Sequence, residues 1–445
     1  MRSALEITRK AKGEAEGIFS KILKKDFTGN AGMAIKNSIY QFASSIVFKI
    51  GSLVFTAIIA RMLLPELFGL YSLALSTIVF MASFSDLGIG TVLISSVSKE
   101  LSKKNGNPGG YVQYLLKIRK YLVLAISLIL FFSSYYISNY YYKQPIFLAL
   151  LAGSLYVCVY SFISFYSVIF QAVNKFEVNI YKEILFQVSR LILVPLVILL
   201  SISGSREILL FSVFVAIILS YSVSLGYLFI KKPKFAIKGK LTLKNKKEVW
   251  KNIMPLMITI LLTVIFGYVD ISVLGKFVEI SYIGYYSSAL MLIGAISSLL
   301  GFSVALFPLF SRLDSVKLRR ALRRSLLIIL PLLLVTTVIT FMLAKYAILI
   351  IYGNSFMQAL PVLKVLILFL LIDPLTALYS SYHLVLGNQK YLAKCMAFVT
   401  IIDLFLTLFL VNLGLSYSSN FAIIGAAAAL IISKSIYLVL LLLKK

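Results

Sequence analysis

The residues in this chain that could do chemistry are charges set where charges are costly. Asp86 lies inside "FMASFSDLGIG" (80–90), in the middle of about thirty mostly apolar residues. An ionised carboxylate in hydrocarbon costs roughly 2.5–3.5 kcal/mol on insertion scales, so something must offset it. Lys49 lies in the preceding apolar run. Measured from the ends of their runs the two fall at nearly the same depth, roughly 18–20 Å at ~1.5 Å per residue. A Lys49–Asp86 pair across adjacent antiparallel helices is therefore expected, either fixing helix register or lining a wet cavity. Gly88 and Gly90 would permit a bend or close approach of a neighbouring helix.

Further charges recur in the apolar runs. Arg190 follows Glu183 by seven residues, on the same helical face, and reads as one half of a charge pair or as an anion contact. Asp270 precedes Lys276 by about one and a half turns. Asp373 stands before Pro374, where the ring removes a hydrogen bond and can bend a helix. Asp403 lies at similar depth to Asp373, and Lys434 is placed to neutralise one of them. Asp373 and Asp403 are either structurally paired or candidates to bind H⁺ or Na⁺. Lys364 is expected to snorkel to the headgroups. The cluster "SSYYISNYYYK" reads as an interfacial aromatic belt.

These charges must be held by helices. The chain has 445 residues, 60% of them hydrophobic and 13% charged, with a mean hydropathy of +0.97. Soluble domains carry about 25% charged residues. Twelve apolar spans are predicted, at roughly 37–63, 70–99, 119–139, 145–171, 178–200, 207–230, 252–276, 283–311, 322–345, 358–387, 391–413 and 421–443. Each is long enough to cross a bilayer as a helix. The expected fold is an all-α polytopic membrane protein.

The net charge of +28 is sorted by side. With this set of spans, 35 basic residues fall on one side, among them nine lysines between Lys231 and Lys251. The other side has five: Arg61, Lys143, Arg206, Lys276 and Lys345. The positive-inside rule then places both termini in the cytoplasm. The charge reads as an orientation signal facing anionic lipid rather than as a nucleic-acid site. Two cysteines, Cys158 and Cys395, and one histidine, His383, give neither a disulfide framework nor a metal site. There is no secretory signal at the start, and "GIFSKILKK" suggests a short helix on the membrane surface or a solvated basic tail.

The chain also repeats. "RMLLPELFGLYSLAL" (61–75) aligns with "KFVEISYIGYYSSAL" (276–290) at an offset of 215, matching Gly69 with Gly284, Tyr71 with Tyr286 and Ser72 with Ser287. Arg61 and Lys276 are both cationic, each at the outer end of the first span of its half. An even number of spans per half makes the copies parallel, related by an axis along the membrane normal. The expected division is a basic segment 1–36, a first lobe 37–230, a basic linker 231–251 and a second lobe 252–445, six helices to each lobe with a cleft between them.

"ARMLLPELFGLYSLALS" with "SDLGIG" resembles the opening spans of polysaccharide-exporter flippases, of the multidrug/oligosaccharidyl-lipid/polysaccharide exporter superfamily. "VDISVLGKF…YIGYYSSALMLIGAISSLLGFSVALFPLFSRL" (269–313), "YGNSFMQALPVLKVL" (352–366), "GNQKYLAK" (387–394) and "FAIIGAAAALIISKSIYLV" (421–439) resemble later landmarks. The resemblance implies two helical lobes around a central cavity and the flipping of a lipid-linked oligosaccharide. For such a substrate, Lys49, Arg61, Asp86, Arg190, Asp270 and Lys276 are the cavity candidates, the cations to hold a pyrophosphate. Asp373 and Asp403 are the ion-coupling candidates, for H⁺ or Na⁺. No G-x-x-x-x-G-K-[ST] loop is present, so ATP is not the expected direct drive, and no cofactor is expected. A monomer in the cell membrane is expected. The rivals are a cation-coupled multidrug efflux antiporter and a membrane glycosyltransferase; the short outer loops and single histidine disfavour the latter.

Overall fold

A computed structural model describes residues 29–201, 204–233, 239, 241–301, 310 and 315–444. The expected N-terminal surface helix lies outside the described residues. Every element among these is helical. The first is α1 (Gly29–Ser83), followed by α2 (Ile89–Leu101), α3 (Pro108–Tyr136), α4 (Phe147–Ala172), α5 (Phe176–Ser201) and α6 (Arg206–Lys231). The second half holds α7 (Leu243–Phe277), α8 (Ile280–Leu299), α9 (Ser315–Ile351), α10 (Leu360–Leu366), α11 (Phe369–Val385), α12 (Gln389–Leu415) and α13 (Ser419–Leu443).

Local chemistry sets the breaks. α1 is kinked at Leu64, whose φ of 60° is left-handed, immediately before Pro65. Proline bars the α region for its predecessor and is tolerated in the first turn of the helix that follows. α3 begins with Pro108, and the Asn107 side chain accepts a 2.9 Å bond from the Gly110 amide. Ser205 and Ser418 cap α6 and α13 in the same way.

Among the described residues nine helices are long and apolar enough to cross a membrane. A tenth forms if the pair Asn354–Leu366 and Phe369–Val385, bent by 44°, is counted as one span. The sequence reading of twelve differs for two physical reasons. Two helices meet at the non-helical Leu64 with no loop between them, so Ala43–Ser83 counts as one element although it holds parts of both the first and the second expected span. The third span is helical from Pro108 rather than from 119, and Lys117, Arg119 and Lys120 in its first half dilute its apolar character.

The end of the bundle where α2 ends and α3 and α7 begin, lined by Lys99, Lys103 and Asn245, is termed here the basic end; the opposite end is the distal end. Within the first half α5 packs on α6, α4 on α6, and α3 on α4. Within the second, α12 packs on α13 and on α7. The main joint between halves is α1 against α8. There Gly69 and Gly284 let backbones touch: a Cβ on Gly69 would collide with the Ile280 carbonyl, and one on Gly284 with the Pro65 carbonyl. The buried core runs across this joint, through Phe68, Tyr71, Ile283 and Tyr286.

Candidate functional site

Asp86 marks a break in its helix. Phe84 to Gly88 form a turn with Leu87 at φ 42° and Gly88 at φ 85°. The Asp86 carboxylate accepts a 3.1 Å bond from the Gly90 amide, satisfying one of the orphan donors that open α2. The pair expected with Lys49 is not formed. Asp86 is ion-paired instead with Arg119 of α3, whose side chain is 2% exposed against 37% for Asp86. Arg119 also donates to the Ser161 carbonyl at 3.0 Å, and the hydroxyls of Ser85 and Ser161 lie 2.6 Å apart. Depth alone points to Lys49, but depth does not say which way a side chain points around the helix. The sequence groups Arg119 with the basic loop; the signal that could have found it is its type, a lone arginine between Lys117 and Lys120.

Lys49 turns instead toward the second half, where it donates to the Ser298 carbonyl in the last turn of α8. Arg61 also crosses, at the distal end. Its Nε donates to the Ile351 carbonyl at 3.0 Å and its Nη2 to that of Ile350. Those carbonyls close α9, where Gly353 (φ 93°) ends the helix. The last carbonyls of a helix lack internal donors and carry partial negative charge. Both cations of the first span therefore rest on neutral helix ends of the opposite half, not on acids. Lys276, the repeat counterpart of Arg61, lies with its ammonium 5.3 Å from the Tyr141 ring, in the turn Ile137–Tyr142 that follows α3, and 5.4 Å from that of Phe277. The structure thus places it in the aromatic belt.

Arg190 is enclosed within the first half. It donates to the Gln187 side chain and to the Ser52 hydroxyl, both at 2.9 Å, and lies over the rings of Phe55 (4.1 Å) and Phe186 (4.8 Å). Gln187 in turn donates to Glu183 at 2.9 Å, so the expected Glu183–Arg190 pair runs through an amide. Glu183 bonds Lys182 directly at 3.0 Å.

The second-half carboxylates divide in two. Asp373 is compensated, by Lys434 at 2.9 Å and the Ser297 hydroxyl at 3.0 Å. Among the described residues neither Asp270 nor Asp403 is bonded to a counter-cation, although the charge of Lys434 also acts on Asp403. Asp270 accepts from the Tyr286 hydroxyl at 2.6 Å and from Thr407 at 3.2 Å. It is buried inside the second half rather than facing a cleft. Asp403 is fully buried and lies close enough for its charge to act on Asp270. Neither Asp403 oxygen sits in a well-formed hydrogen bond; the donor beside it is the Ser433 hydroxyl, which is itself otherwise unmatched. Sequence reasoning does not bring Asp270 to Asp403, nor Tyr286 and Thr407 to either. Among the described residues no group of three or more His, Cys, Asp and Glu could hold a metal ion. The oxygen set Asp270, Asp403 and Thr407 suits at most a small hard cation or a proton.

At the basic end the halves enclose a cavity of about 400 Å³, lined by Lys99, Lys103, Tyr111, Asn245, Glu248 and Asn252 among others. Glu100 on its wall bonds Lys103 at 2.6 Å and the Asn107 amide at 2.9 Å, which holds its carboxyl below the usual range. Opposite this cavity, the distal end is closed by the glycine crossing and the Arg61 contacts.

Two helical halves joined by one crossing, with charges held in the apolar core, define a polytopic α-helical membrane protein. Residues 34–314 match the family described as "Polysaccharide biosynthesis protein", and the chain belongs to that family. A comparison with curated protein sequences finds no match. Among solved structures it resembles "Lipid II flippase MurJ, inward closed conformation", with a TM-score of 0.71, 18% identity, 92% of this chain and 87% of that one covered. An inward-facing multidrug resistance MATE family transporter of the MOP superfamily gives 0.61, with 14% identity over 91% and 93%. A mutant form of the Vibrio cholerae MATE transporter VcmN gives 0.58, with 15% identity over 93% and 96%. At these identities the likeness concerns the fold.

Proposed function

We propose that the protein moves a lipid-linked oligosaccharide from the cytoplasmic to the outer leaflet of the cell membrane by alternating access. The observation that carries this reading is the state of Lys49 and Arg61, two cations bonded to neutral carbonyls between the halves. Phosphate oxygens make stronger, charge-assisted bonds to the same donors. A lipid pyrophosphate entering from the basic end would take Lys49 from Ser298 and loosen the joint. Its tail would stay in the bilayer while the polar head crossed between halves. One of the solved structures to which the fold is similar is, by name, a lipid II flippase.

In this reading the chain crosses the membrane twelve times, with α1 supplying two crossings and α3 one. Residues 37–230 and 252–445 are the moving lobes, 231–251 the cytoplasmic linker and 1–36 a cytoplasmic segment. Both termini are cytoplasmic and the working unit is a monomer. Asp86, Arg190 and Lys276 hold helices in place, at the helix break, inside the first lobe and in the outer belt. Asp270 and Asp403 form the ion-coupling site, since two buried carboxylates without a bonded counter-cation favour uptake of H⁺ or Na⁺. Asp373, bonded directly to Lys434, is assigned in this reading to structural pairing.

The test is reconstitution of purified protein in liposomes carrying a fluorescent lipid-pyrophosphate oligosaccharide on one leaflet, read by a membrane-impermeant quencher. Headgroup movement above that of protein-free liposomes supports the proposal. Efflux of cationic dyes with no headgroup movement would overturn it in favour of the multidrug reading that the two MATE structures represent.

A further inference from the structure

The start of α9 carries a second feature, independent of the pathway. Arg319, Arg320, Arg323 and Arg324 lie within three turns of its N-terminal end, and all four are exposed. With Val316 before them and Tyr382 and Leu386 of α11 opposite, Arg319, Arg320 and Arg323 line a groove of about 530 Å³ at the basic end. Among the described residues none of these arginines has an acidic partner. The amino end of a helix is itself partly positive, so four cations there repel both each other and the helix. An anion is the missing component.

Orientation does not account for the choice of residue. A topology signal is served equally by lysine and arginine, and the chain uses lysine throughout: 33 lysines against 11 arginines. All nine cations between 231 and 251 are lysines, yet four of the 11 arginines fall in the six residues 319–324. Arginine differs from lysine in its flat fork of donors, which grips a phosphate through paired bonds. Toward the membrane core the same helix presents Leu327, Ile328, Leu330, Leu332, Leu334 and Val335, all exposed. An apolar stripe thus continues from the basic groove. A free phosphate would use the arginines alone; a phospholipid would use both surfaces.

We infer that the α9–α11 groove binds an anionic glycerophospholipid of the adjoining leaflet, its phosphate on Arg319 and Arg323, one turn apart, and its acyl chains along the exposed face of α9. The site lies away from the joint between halves, and bound lipid would tie α9 to α11.

Native mass spectrometry of the full-length detergent-solubilised protein tests this, with dioleoyl phosphatidylglycerol, dioleoyl phosphatidylcholine and inorganic phosphate as probes. Phosphatidylglycerol adducts should exceed phosphatidylcholine adducts at least fivefold, and fall to parity in Arg319→Gln/Arg323→Gln. Arg319→Lys/Arg323→Lys keeps the charge and should still lose most of the preference. Lys244→Gln/Lys246→Gln, equal in charge change but on the linker side, should leave it intact; a melting temperature within error of the parent shows that each variant is folded. Equal retention of the two lipids, an unchanged preference in Arg319→Gln/Arg323→Gln, or displacement of the lipid by millimolar phosphate would overturn the assignment.

Discussion

Gly69 and Gly284, matched by the internal repeat, touch each other where α1 crosses α8. Each backbone lies within contact distance of the other's amide nitrogen, at 3.1 and 3.3 Å from the position a Cβ would take. Two residues that the sequence aligns at an offset of 215 thus meet at one crossing. Arg61 and Lys276, aligned at the same offset, reach respectively the distal end of α9 and the turn Ile137–Tyr142 that follows α3.

Side chains at this crossing should hold the distal end apart. Ser72 and Ser287, one turn further along their helices, are almost wholly buried behind the two glycines. In a background with Cys158→Ser and Cys395→Ser, Ser287→Cys should be protected from membrane-impermeant thiol reagents. Adding Gly69→Leu should raise its labelling rate at least tenfold. Unchanged protection would mean that the crossing does not govern closure.

The Asp86–Arg119 pair should be structural, and lopsided in its failure. Asp86→Ala leaves a nearly inaccessible guanidinium without its counter-charge and removes the cap of α2. Breaking a fully buried pair costs about 3–5 kcal/mol, less here because Asp86 keeps solvent contact, and losing a cap about 1. Asp86→Asn keeps the acceptor on the Gly90 amide and should recover part of the loss. Thermal unfolding of the three proteins in one detergent checks the order: parent, Asn variant, Ala variant.

Asp403 and Asp373 should part company in ion dependence. Asp403→Asn should abolish the response of transport to Na⁺ or to a pH gradient, whichever drives the parent. Asp373→Asn combined with Lys434→Gln should keep that response, because it removes a compensated pair. Lys434→Gln alone should cost about 2 kcal/mol, less than for a fully buried pair, since both side chains keep some solvent contact. Flux measured under imposed gradients distinguishes these; equal ion dependence in Asp403→Asn and parent would remove Asp403 from the coupling site.

Lys49→Ala should abolish headgroup movement at equal expression and insertion. Its carbonyl partner lies at a helix end and retains its own helical geometry, so little stability is expected to be lost. Flipping at the parent rate in this variant would take Lys49 out of the pathway.

The helical class was legible because it is written as long apolar runs; the offset of 215 matches Gly69 with Gly284, but that the two meet is decided by packing. The kink at Leu64 could be read from Pro65. The pairing of charges could not. Lys49 and Asp86 share a depth, but azimuth around each helix and tilt between helices decide who meets whom, and a single sequence carries neither. Arg119 was hidden because span ends in the sequence are set by hydropathy, and a buried arginine looks there like the edge of a loop. Asp270 and Asp403 are 133 positions apart, and only the packing of α7 on α12 brings them together.

The carbonyls that Arg61 and Lys49 cover lie in the last turns of α9 and α8, where the internal ladder of the helix runs out. In the proposed cycle the halves swing apart at the distal end, and the last turn of α9 must be wetted before Arg61 can be released. Solvent is then a reagent of the cycle, and the turnover rate should fall with osmotic stress even where substrate and gradient are saturating.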